Sequence, residues 1–171
     1  NMNSGGNNTI IGYEAGHSST SHSSATFVGF QAGYYGSSNN TFIGNCAGKN
    51  TGNAWNVAVG YNAGGRLGNY NVAVGDYALN DGVHTAKHYN TAIGYTALKY
   101  ATHGSNTAVG YTAGRDITSG QWNVFMGASA GRECTTNSGN IAIGYEPMGS
   151  NGSTDCTGNN NVAIGKHALR T

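Results

Sequence analysis

Three residue groups in this chain could do chemistry: the cysteines, the histidines and the carboxylates. The cysteines are Cys46, Cys134 and Cys156, and none is spaced as C-x-x-C, so no zinc site is expected. Cys134 and Cys156 are the candidates for a disulfide, which would stitch two successive loops in an oxidising compartment. Cys46 occupies a variable position of the repeat and is expected to be a small buried apolar residue. His84 and His88 would put two imidazoles on one face if they lay on a helix, which is a metal-ligand spacing. They belong to a Gly-containing stretch, Asn80–Tyr89, that does not read as a helix, so solvated loop histidines and no metal are expected. The acids Glu14, Asp76, Asp81, Asp116, Glu133, Glu146 and Asp155 are mostly spread apart, leaving no close pair for acid–base work on a glycoside. No G-x-S-x-G elbow and no complete phosphate loop occur. The chain is therefore expected to be no enzyme, with no catalytic residue and no cofactor.

Aromatic residues offer a second kind of chemistry, the packing of flat π-faces against the apolar faces of sugars. One set directly follows a recurring glycine: Tyr13, Phe30, Tyr61, Tyr95, Tyr111 and Tyr145. Another precedes a recurring asparagine: Trp55, Tyr70, Tyr89 and Trp122. Either set, aligned in space, would make a ladder; structural stacking is one reading and a ligand-binding track the other.

What aligns these residues is a repeat. Ten units share one pattern, from NTIIGYEAG (Asn8–Gly16) through NTAIGYTAL (Asn90–Leu98) to NVAIGKHAL (Asn161–Leu169). Their anchor glycines are Gly12, Gly29, Gly44, Gly60, Gly75, Gly94, Gly110, Gly127, Gly144 and Gly165, at intervals of 15 to 21 residues. Length varies only between motifs, which marks the connections as loops. Alternating apolar positions before each glycine predict a short strand. On size and branching, Ile93 and its equivalents, with the residues two before them, are expected to point into the core. Ala92 and its equivalents (Ala, Phe or Ile) are then expected on the opposite face, which is never charged and so also reads as buried, against another copy. The glycine suits a bend with positive φ or a close approach, and Asn90 and its equivalents suit a side-chain ladder. Alanine three residues after the glycine, in every unit except that with Pro147, suggests a second short strand inside the coil.

Composition fits a repeat better than an ordinary globule. Glycine contributes 29 of 171 residues, proline one, and charged residues 9 %. The net charge of +1 gives no electrostatic case for nucleic acid or an anionic membrane surface. No apolar run approaches the ~20 residues of a membrane span. The sequons at Asn7, Asn39 and Asn151 are expected by chance in so Asn-, Ser- and Thr-rich a chain.

The core N-x-A-[IV]-G-x-x-A resembles the head repeat of trimeric autotransporter adhesins of the YadA type. The form at Asn90–Leu98 is still more similar to the repeats of phage tail-fibre shafts and related bacterial fibres. The resemblance runs from Asn8 to Leu169, although the loops here are longer and less regular than in the adhesin heads. It implies an all-β, left-handed parallel β-roll or β-solenoid of about ten coils, assembled as an intertwined homotrimer. Residues 1–171 are then expected to form a single repeat domain, a fragment of a longer fibre protein. The implied function is non-enzymatic attachment to a cell or surface receptor, extracellularly, on a cell surface or virion, with no insertion of this segment into a membrane. A glycan-binding module using loops and aromatic tracks is the alternative; a polysaccharide-degrading spike ranks lower for want of an acid pair.

Overall fold

In each unit the three residues between the asparagine and the glycine form a strand. In chain order these are β1 (Thr9–Ile11), β2 (Thr26–Val28), β3 (Thr41–Ile43), β4 (Val57–Val59), β5 (Val72–Val74), β6 (Thr91–Ile93), β7 (Thr107–Val109), β8 (Val124–Met126), β9 (Ile141–Ile143) and β10 (Val162–Ile164). The computed structural model describes residues 5–19, 21–81, 83, 87–149, 156 and 158–170. Each strand pairs in parallel with the next, one residue to one residue, giving a single ten-stranded sheet in the order β1 to β10. Parallel neighbours that are also sequence neighbours require one full return of the chain per strand. The fold is therefore an all-β parallel solenoid of ten coils. No helix of the described residues is long and apolar enough to cross a membrane.

The two faces of the sheet are the reverse of the sequence expectation. Ala58, Ala73, Ala92, Ala108 and Ala142, with Phe27, Phe42 and Phe125, are fully buried inside the coil. Their β-branched neighbours point outward: Ile43, Ile93 and Ile164 are 40 %, 39 % and 67 % exposed. The reason is room. From the second coil to the eighth, each coil also buries an alanine from the turn after the glycine, among them Ala63, Ala78, Ala97 and Ala113; the ninth carries Pro147 there. Two β-branched chains per coil would not fit the remaining space. That second alanine sits in a turn; the second strand expected there does not form, and each coil has one strand.

From the second coil to the ninth, one large apolar side chain fills each coil, from one of three places. Phe27, Phe42 and Phe125 come from the strand centre, and glycines 33, 48 and 131 then stand at the corner six residues later. Where the centre is Ala73, Ala92 or Ala142, the corner supplies Leu79, Leu98 or Met148. Where centre and corner are both small, at Ala58 with Gly64 and Ala108 with Gly114, the chain supplies Leu67 and Ile117 three residues further on.

Two columns lock successive coils together. The anchor glycines take φ between 119° and 141°, a conformation that L side chains rarely adopt. At Gly94 a Cβ would lie 2.7 Å from the carbonyl carbon of Gly110 and nearer still to its oxygen. The asparagines form the expected ladder. Asn56 Oδ1 accepts from Asn71 N at 2.9 Å and from its Nδ2 at 3.1 Å, and Asn71 Oδ1 accepts from Asn90 N at 3.0 Å. The same Nδ2 groups donate to the loop of the next coil, as from Asn71 to Lys87 O at 2.8 Å. These asparagines are buried, so each satisfies a backbone donor that has no water to turn to.

Candidate functional site

The residue before each asparagine adopts a left-handed conformation, with φ of 58°, 60°, 59° and 57° at Trp55, Tyr70, Tyr89 and Trp122. This turns the side chain out at the corner of the coil. Trp55 and Tyr70 stack with centroids 5.1 Å apart and planes within 9°. Tyr70 and Tyr89 stack at 5.3 Å and within 3°. Three of the four expected residues thus form one continuous aromatic ladder. Trp122 is separated from it by the coil that carries Ser105 at the equivalent place, and no aromatic ring stacks on it among the described residues. The corner after the glycine gives shorter stacks, Tyr13 with Phe30 at 5.5 Å and Tyr95 with Tyr111 at 5.6 Å.

Of the histidine pair, His84 lies outside the described residues. His88 is half-buried, and its Nδ1 accepts a 2.8 Å hydrogen bond from the backbone of Asn69, which occupies one of its two ring nitrogens. No group of three His, Cys, Asp or Glu able to hold a metal occurs among the described residues. Cys134 and Cys156 are joined by a disulfide with Cα atoms 4.7 Å apart, tying the loop before β9 to the loop before β10. Cys46 is free and, against the expectation of burial, half-exposed, because it stands in a left-handed conformation (φ 57°) in the turn after Gly44.

Among the acids, Glu146 accepts from Arg170 at 2.8 Å and lies 3.4 Å from His167. With Glu133, Ser129, Arg132 and Gly149 it lines a small cleft. Asp116 is engaged by both Nε and an Nη of Arg115. The Glu14 carboxyl is held below its ordinary range by a hydrogen bond from Gln31. Asp81 pairs with Lys87, whose ammonium is wholly buried. Burial pushes the Lys87 amine down, opposed by the Asp81 carboxylate. Sequence reasoning missed this buried pair because a non-repeating insertion carries no pattern to place it.

The outer face of the sheet is a uniform surface. The first and third residues of the ten strands are Thr, Val or Ile at every position except Met126, and none is charged. They form two parallel ridges, half-buried or exposed along the stack. Comparison of the chain with protein-family models, with curated proteins and with solved structures gave no match.

Proposed function

We propose that this chain is a segment of a non-enzymatic extracellular attachment fibre, in which three copies pack their outer β-branched faces around a common axis. The observation that carries this reading is the uncharged face running over all ten coils. Threonine is interspersed with valine and isoleucine along the first-position ridge, but the third-position ridge, from Ile11 to Ile164, is apolar in every coil, and an apolar stripe of this length is an association surface. Identical chains close such a face by cyclic symmetry. The count of three comes from the resemblance to trimeric fibre repeats. The Cys134–Cys156 disulfide supports an oxidising, extracellular setting. The partner outside the assembly is a cell-surface receptor, as the resemblance to attachment fibres implies.

Sedimentation equilibrium tests the assembly: the expected mass is three times the 17.5 kDa chain. A stable, soluble monomer would overturn the proposal. Val74→Asp and Ile93→Asp, on the outer face, are expected to yield folded but dissociated or aggregated chains, because like charges would meet in a dry interface. Ala92→Asp, on the inner face, is expected to unfold the coil itself.

A further inference from the structure

The aromatic ladder has a missing rung, and we propose that the gap is a binding slot for one pyranose ring, held between Tyr89 and Trp122 over Ser105. Tyr89, Ser105 and Trp122 occupy the same place in three successive coils, with φ of 59°, 62° and 57°. The ring of Tyr89 is held parallel to Tyr70 within 3°, so its other face is turned toward the Ser105 coil. That face is uncovered: Tyr89 is 63 % exposed, against 47 % for Tyr70 inside the ladder, and Trp122 is 66 % exposed. The backbones of the two coils approach closely beside the gap, where a Cβ at Gly104 would collide with the carbonyl of His88.

The spacing selects the occupant. Two coil steps separate the equivalent positions of Tyr89 and Trp122 by about 10 Å. A flat aromatic ring in contact with both would fill only ~7–8 Å, at ~3.5–4.0 Å per carbon contact. A pyranose chair is thicker, because its pucker and axial C–H bonds project from both faces, and those C–H bonds suit the negative faces of aromatic rings. Its equatorial hydroxyls would then meet polar groups at the rim. Ser105 uses its backbone N–H to bond His88 O at 3.0 Å, while its hydroxyl has no partner among the described residues. No charged residue precedes or follows the three slot residues, so the slot suits a neutral sugar.

The slot lies within one chain, so it stands or falls separately from the trimer. The test is a broad array of neutral pyranose glycans probed with the assembled wild-type protein, together with Ser105→Phe. A tryptophan titration with the best-bound glycan and with adenosine follows, in Trp55→Phe, where Trp122 is the sole indole. Expected are saturable binding of at least one glycan, a shift of Trp122 emission, and loss of both in Ser105→Phe, which restores the rung. Tyr89→Ser and Trp122→Ser, which place there a residue the same column already carries at Ser24 and Ser105, should each weaken binding by about tenfold or more. Absence of binding across the array, binding unchanged in the serine variants, or a shift produced by adenosine and not by glycans would each overturn the proposal.

Discussion

Phe27 and Gly33 share one volume. A Cβ built on Gly33 would lie 2.8 Å from both Cδ1 and Cε1 of the Phe27 ring, so the corner must be bare where the strand centre is large. Leu98, at the same corner four coils on, stands beside Ala92 and is wholly buried. Strand centre and corner are two sources for the same core volume.

Exchange between those sources is testable. Ala92→Phe alone should destabilise by about 1–3 kcal/mol through overpacking. Leu98→Gly alone should cost about 2–5 kcal/mol through the cavity it leaves. The double variant should recover most of both losses, a coupling of at least ~0.5 kcal/mol in a denaturant double-mutant cycle. Strict additivity would show that the two sites do not share space.

Gly94→Val adds a side chain where φ is 132° and the Gly110 carbonyl fills the space. Backbone strain alone should cost about 1–3 kcal/mol, with the clash added to it. Unchanged thermal melting would count against the close approach of the glycine column.

Asn90→Ala removes the oxygen that accepts from Asn106 N at 3.0 Å. A buried donor left without its partner should cost about 1–3 kcal/mol, and amide exchange at Asn106 should accelerate. Protection equal to wild type would mean that the ladder adds nothing to the strand pairing.

His22 makes a pH prediction. Its ring is almost wholly buried, packs 5.4 Å from Phe27, and has no hydrogen-bond partner on either nitrogen among the described residues. Burial lowers its pKa from the ordinary 6.5. The unfolded chain therefore takes up a proton at a pH where the folded chain does not. Stability is full above 6.5 and is lost as pH falls from there through the folded value. Melting temperature should fall on acidification, and His22→Phe should flatten that slope; an equal slope in both proteins would refute it.

The ten strands, the glycine column and the asparagine ladder were legible because each repeats at one place in the unit. The facing of the strands was not. Ile93 reads as a better core residue than Ala92 when hydrophobicity is weighed residue by residue. The signal that decides between them is the pairing of sizes at different places, Phe27 with Gly33 and Ala92 with Leu98, which shows which column is short of room. The stack of Trp55, Tyr70 and Tyr89 followed from their shared position, whereas the slot beside it depends on what Ser105 lacks.

The Asn ladder has one interruption with a mechanical meaning. In a sheet whose strands lie across the long axis, the hydrogen bonds between coils point along that axis. A pull on the two ends loads them in series, so the assembly of coils is as strong as its weakest junction. Ala25 stands where the other nine coils carry asparagine, and it has no side-chain oxygen to offer Asn40. Between β2 and β3 the load that the ladder carries elsewhere passes instead to the backbone pairing and to the stacked rings of Phe27 and Phe42, 5.3 Å apart, so this junction trades a directional bond for a sliding apolar contact.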